Sequence, residues 1–117
     1  MKDTSLLGGF TECHDQVRLP SFVSDKTLVA NAMAYPFVSD GIPILYYGQE
    51  QGFSGGEDPA NREPMWTTNY DTTTEGYRFV QTLTAVRSAA GNASTDFLTT
   101  QVSPHRPSPR PPALHWR

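Results

Sequence analysis

The run Glu12-Cys13-His14-Asp15 sets two carboxylates, a thiol and an imidazole side by side. It follows the short apolar segment from Leu6 to Thr11, long enough for a strand and too short for an independent helix. A strand there delivers His14 and Asp15 where the chain turns, and the C-terminal ends of parallel strands are where chemistry collects in α/β proteins. Anionic groups in such a place serve reactions that build positive charge at a carbon, glycosidic cleavage among them. Read without context, the same residues describe a turn with solvated charges. A metal site does not suit them, because adjacent side chains on a strand point to opposite faces and do not converge.

The elements that must position these groups follow from the pattern downstream. After a polar loop from Cys13 to Val23, Ser24 is placed to cap a helix from about Asp25, whose Leu28, Val29, Ala32 and Met33 recur at helical steps. Pro36 has no N–H to donate and clashes with the preceding turn, an interior cost of about 3 kcal/mol, so the helix is expected to stop or kink at Tyr35. Asp40-Gly41 turns the chain into a second strand, Ile42 to Tyr47, an unbroken apolar run that suits a parallel strand buried on both faces. Pro43 is tolerable near its start. A glycine-rich loop from Gly48 to Tyr70 leads to a predicted capping box of Thr72 and Glu75. The helix that follows carries Phe79, Leu83, Val86 and Ala90 as one apolar stripe and is expected to end at Gly91. The order amounts to two consecutive βα units with parallel strands.

Three blocks carry a resemblance: Phe10 to Asp15, Gly41 to Gln51, and Gly55 to Glu63. Together they are similar to the last catalytic motif and eighth-strand region of fungal-type α-amylases, with the likeness running from about Leu6 to Gln101. It implies an α/β fold, a fragment of a TIM (β/α)8 barrel comprising the seventh and eighth βα units, over residues 1–101. The family motif reads Phe-Val-Glu-Asn-His-Asp. This chain departs from it with Thr11, a mild change, and with Cys13, which removes an amide able to donate and accept. Pro36 is a further departure, where the family carries an ordinary apolar residue.

By that resemblance Asp15 matches the third catalytic carboxylate, which supports the transition state, and His14 matches the histidine that hydrogen-bonds the sugar beside it. Asp58 and Arg62 match residues that bind a glucose unit on the non-reducing side of the cleaved bond, where a carboxylate and a planar donor fork suit vicinal hydroxyls. A structural ion pair bracing the loop is an equal reading of Asp58 and Arg62. Gln49, Glu50 and Gln51 are expected to shape the strand end. Trp66, Tyr70 and Tyr77 are expected to fill gaps between helix and barrel rather than stack on sugar.

The implied partner is an α-glucan: starch, glycogen or maltooligosaccharides. The implied parent reaction is endo-hydrolysis of α-1,4-glucosidic bonds with retention. The family's nucleophilic aspartate and acid glutamate have no counterpart in this sequence, so the chain alone is expected to be inactive. The family's calcium ligands have no counterpart here either. Two other readings stand beside this one: a non-catalytic glucan-binding or regulatory fragment, and an adaptor acting through its C-terminal tail.

Length and composition set the frame. The 117 residues fall well short of the roughly 250 that a closed eight-unit barrel needs. Strand edges and apolar faces would be left open, which predicts a marginal or molten chain that aggregates. A net charge of −3 and a pI near 5.5 give no electrostatic reason for a nucleic-acid or anionic-membrane partner. All twelve acidic residues lie at or before Asp96, whereas Arg106, Arg110 and Arg117 fall in an acid-free tail. Its proline density over 102–117 predicts disorder, with Pro-x-x-Pro spacings at Pro104/Pro107 and Pro109/Pro112. Cys13 is the one cysteine, which excludes an intramolecular disulfide. The first ten residues have too short an apolar run for a signal peptide, so the chain as written is expected in the cytoplasm although the family is largely secreted. Asn92-Ala93-Ser94 is a glycosylation sequon that fits a secreted parent.

Overall fold

Asp25 starts the first long helix: its carboxylate accepts the Thr27 N–H at 2.8 Å, satisfying one of the donors a helix start leaves open. The cap is therefore Asp25 and not Ser24, one residue later than expected. This is the first of the elements in the structure, a computed structural model that describes residues 5–94 and 96–99. The Pro/Arg-rich tail expected over 102–117 lies outside the described residues. The elements are β1 (Gly8–Gly9), α1 (Lys26–Val38), β2 (Ile42–Pro43), α2 (Glu75–Ala93) and the short α3 (Asp96–Thr99). Single 3-10 turns occupy Leu19–Ser21, Gln49–Gln51 and Met65–Thr68.

The helix α1 does not stop at Tyr35. It carries Pro36 inside it and runs on to Val38. Two features accompany the helix past the proline. The proline ring is fully buried, and the carbonyls at the end of the helix are collected by a distant side chain. Arg87 donates from Nη1 to Phe37 O at 2.8 Å and to Ser39 O at 3.4 Å, and from Nη2 to Gly41 O. Its positive charge also lies where the helix dipole is negative. On the buried side α1 presents Met33, Pro36 and Phe37, while Leu28 is exposed.

β1 and β2 pair in parallel with Gly8 opposite Ile42 and Gly9 opposite Pro43. Ile42 N–H donates to Leu7 O and Ile44 N–H to Gly9 O, each at 2.8 Å, so the missing N–H of Pro43 falls where the ladder asks for none. Both strands are far shorter than the apolar runs that contain them. Each has a partner on one side only, and a ladder with one neighbour extends no further than its own hydrogen bonds. The expected order of strand, helix, strand, loop and helix is kept.

α2 begins at Thr74, whose hydroxyl accepts the Tyr77 N–H at 3.1 Å and donates to Glu50 O at 2.7 Å. The expected Thr72–Glu75 box does not form, because Asp71 takes the preceding turn: its Oδ1 accepts both the N–H and the hydroxyl of Thr73 at 2.7 Å. The half-buried face of α2 is Gly76, Phe79, Val80, Leu83, Arg87 and Ala90, with Val86 turned to solvent. Gly91 does not end this helix, which continues to Ala93. A Cβ at Gly91 would lie 3.2 Å from Leu98 Cδ1, so the glycine serves the close packing of α3.

Among the described residues the buried hydrophobic side chains are Met33 and Phe37. Leu6 is 77% exposed, and Phe10, Ile42 and Ile44 around the two strands are exposed as well. No described helix is long and apolar enough to cross a membrane.

Candidate functional site

The turn after β1 is closed by Gln16 N–H on Cys13 O at 3.4 Å and presents His14 and Asp15 outward. His14 Nε2 lies 3.2 Å from Asp15 Oδ1, with the side chains 63% and 69% exposed. The second pair comes from the loop after β2, where Arg62 Nη2 meets Asp58 Oδ2 at 2.8 Å, again in solvent at 45% and 57% exposure. A pair so exposed contributes at most about 1 kcal/mol, which leaves little to the bracing reading. The same Arg62 nitrogen reaches His14 O at 3.4 Å. The structure thus brings all four residues singled out in the sequence, His14, Asp15, Asp58 and Arg62, to one exposed rim.

Beneath that rim sits a cluster that sequence reasoning missed. Arg18 is 0% exposed, and its Nε donates to Glu63 Oε2 at 2.7 Å and to Asn61 O at 3.0 Å. Its Nη1 lies 3.6 Å from Glu12 Oε2. The guanidinium faces the rings of Tyr46, Tyr47 and Phe53 at 4.3, 5.1 and 5.2 Å from their centroids, a cation–π seat. Glu12 turns inward, opposite in direction to the exposed pair beyond it, and accepts the Leu19 N–H at 3.1 Å. Glu63 Oε1 accepts the N–H groups of Ser54 at 2.9 Å and Gly55 at 2.6 Å.

Asn61, also 0% exposed, donates both protons of Nδ2: to His14 O and to Gln16 O, each at 2.8 Å. Its own carbonyl accepts the Tyr46 hydroxyl at 3.3 Å. The signal for this cluster in the sequence is thin. Arg18 lies in a segment that reads as polar loop, and Asn61 and Glu63 are marked only by flanking Arg62.

The two carboxylates beside Arg18 are tuned in opposite directions. Burial pushes the Glu12 carboxyl above its ordinary value of 4.5, more than the Leu19 hydrogen bond and the Arg18 charge pull it down. Burial also pushes Glu63 up, but the hydrogen bonds it accepts from Arg18 and Gly55 outweigh this and leave it below 4.5. Tyr46 is raised, first by burial.

Gln49, Glu50 and Gln51 support the backbone. Gln49 Oε1 accepts Tyr46 N–H and Glu50 Oε2 accepts Gly48 N–H, both at 2.9 Å. Gly48 and Gly52 bracket the turn at φ of 85° and 76°. Trp66 is 71% exposed and Tyr70 and Tyr77 are exposed with it, so they fill no gap among the described residues. The inner face of α2 is already filled by Phe79, Val80 and Leu83.

Among the described residues no group of three or more His, Cys, Asp or Glu side chains could hold a metal ion. Glu12, the buried carboxylate nearest the rim, is engaged by Arg18 and Leu19. The calcium implied by the family resemblance has no fitting donor set among the described residues. A cavity of about 580 Å³ lies between the start of α1, the Gln49–Gln51 turn and the start of α2, and none of the four rim residues lines it.

No family model matches the chain. Alpha-amylase 1 of Lipomyces kononenkoae is 50% identical over 99 residues, covering 85% of this chain and 16% of the relative. Alpha-amylase 1 of Schwanniomyces occidentalis is 54% identical over 88 residues, covering 75% of this chain and 17% of the relative. A solved α-amylase from Malbranchea cinnamomea superposes with a TM-score of 0.82 at 39% identity, covering 86% of this chain and 21% of that one. The chain spans about a sixth of the length of these two curated relatives. Sequence and structure agree over most of its length: this chain carries a segment of a fungal-type α-amylase.

Proposed function

We propose that this segment, residues 1–101, is the seventh and eighth βα units of an α-amylase barrel and supplies part of its glucan-binding rim, with residues 102–117 a separate segment. The parent reaction is endo-hydrolysis of α-1,4-glucosidic bonds in starch or glycogen with retention. That reaction uses a carboxylate nucleophile and a protonated carboxyl on opposite sides of the bond, around a positively charged transition state. Asp15 adds a further anion that stabilises this charge, and His14 hydrogen-bonds the sugar beside it. Asp58 and Arg62 bind a neighbouring glucose unit through its vicinal hydroxyls.

One observation carries the reading. Arg62 reaches both Asp58 Oδ2 at 2.8 Å and His14 O at 3.4 Å, so segments 48 positions apart in sequence form a single polar surface open to a large ligand. Exposure of both pairs suits hydroxyl groups that must exchange water for protein donors and acceptors.

The 117 residues by themselves hydrolyse no glucan, since Asp15 alone matches a catalytic carboxylate of the family and a single such group can neither form nor resolve a glycosyl-enzyme intermediate. The purified chain should release no reducing sugar from soluble starch, and release above the blank would overturn this. In titration calorimetry it should take up maltoheptaose weakly, and Arg62→Ala should abolish the heat. Absence of binding by the unsubstituted chain would end the rim assignment.

A further inference from the structure

We infer that Asn61 is a positioning residue, whose carboxamide locks the turn carrying Asp15 onto the turn carrying Arg62. The two Nδ2 protons go to His14 O and Gln16 O, the carbonyls immediately before and after Asp15. The next residue in the chain is Arg62. One buried amide therefore stands a single peptide unit from the exposed carboxylate on one side and from the exposed guanidinium on the other. Its main-chain carbonyl is held in turn by Arg18 Nε at 3.0 Å and the Tyr46 hydroxyl at 3.3 Å, and Arg18 is anchored by Glu12 and Glu63. The base of the lock is thus fully buried while the groups it aims are exposed.

The chemistry narrows the residue type. Bridging two carbonyls from one point needs two N–H donors on one short side chain, which asparagine has and aspartate, serine and alanine lack. Asn61 Oδ1 has no hydrogen-bond partner among the described residues, so the two contacts that hold the carboxamide in place are those of its Nδ2 donors.

The glucan part of this inference rests on the rim reading above, and the lock itself does not. The full chain is studied by NMR, with maltoheptaose as the probe. The Asn61 side-chain amide protons should exchange about a hundredfold more slowly than those of the exposed Asn92, and should show through-hydrogen-bond couplings to the carbonyl carbons of His14 and Gln16. Exchange as fast as that of Asn92 overturns the lock, whatever the chain does with sugar. Asn61→Asp and Asn61→Ala should weaken maltoheptaose binding about tenfold, measured on the folded fraction, the loss expected from removing a buried donor. If the Asn61 variants lower the unfolding midpoint but leave the folded fraction binding normally, Asn61 only holds the fold together and the inference fails. If the unsubstituted chain binds no maltoheptaose yet exchanges slowly at Asn61, the rim reading falls and the lock stands.

Discussion

Arg18 Nε lies 2.7 Å from Glu63 Oε2 while the same guanidinium stands 4.3 Å from the centre of the Tyr46 ring. The charge is held between carboxylates and aromatic faces with no access to water. Removing one partner of such a pair leaves a buried charge uncompensated.

Glu63→Gln should therefore destabilise the chain by about 3 kcal/mol near neutral pH, read from urea midpoints. The pH dependence follows from the direction of each shift. Glu63 is held below 4.5, so its contribution is complete above that value and is lost as pH falls through its lower folded value. The gap between the unsubstituted chain and Glu63→Gln should close on acidification. Glu12 is raised above 4.5, so the folded state binds its proton more readily and stability declines as pH rises through the raised value. Glu12→Gln should gain relative to the unsubstituted chain over that same rise. Opposite slopes for the two variants are the expected result, and parallel slopes would contradict it.

Two glycines of the loop after β2 should respond in contrasting ways. A Cβ at Gly55 would stand 1.8 Å from Ala60 O, a collision with backbone that the loop relieves only by opening and carrying Asp58 and Arg62 away. Gly52 has a φ of +76° with open space around it. Gly52→Ala should cost about 1 kcal/mol through backbone conformation alone. Gly55→Ala should exceed about 3 kcal/mol and abolish maltoheptaose uptake. Urea melts and calorimetry on the pair would decide.

Arg87→Ala should shorten α1. Its guanidinium satisfies the carbonyls of Phe37, Ser39 and Gly41, and these become unpaired when it is removed. A loss of about 2 kcal/mol is expected, with a drop in far-ultraviolet helical signal. Arg87→Lys should recover part of it, since a single ammonium cannot span the same three acceptors.

The open faces of the two strands should drive self-association. Leu6 is 77% exposed, and Phe10, Ile42 and Ile44 share the surroundings of the β1–β2 pair. Light scattering should rise with protein concentration, and Leu6→Asp or Ile42→Lys should raise the threshold while changing stability by less than about 0.5 kcal/mol. A chain that stays monomeric at every concentration would argue against the barrel assignment.

Local pattern was enough for the order of elements, because helical periodicity and apolar runs are properties of neighbouring residues. The errors came where a distant group decides. Pro36 reads as a helix stop, yet α1 runs on to Val38, where the Phe37 carbonyl is collected by Arg87, 50 positions after Phe37. Thr72 reads as a cap until Asp71 captures Thr73. The strands read long because apolar length does not say how many neighbours a ladder has. His14, Asp15, Asp58 and Arg62 were legible as residue types in matched blocks, whereas Arg18, Asn61 and Glu63 act through contacts 43 to 47 positions away. Nothing in a local window encodes such contacts.

Asn61 Nδ2 closes on a carbonyl 47 positions earlier. During synthesis on the ribosome the loop bearing Asp15 is made 47 positions ahead of the side chain that fastens it, so the two turns can be joined only after Asn61 has been added and has emerged.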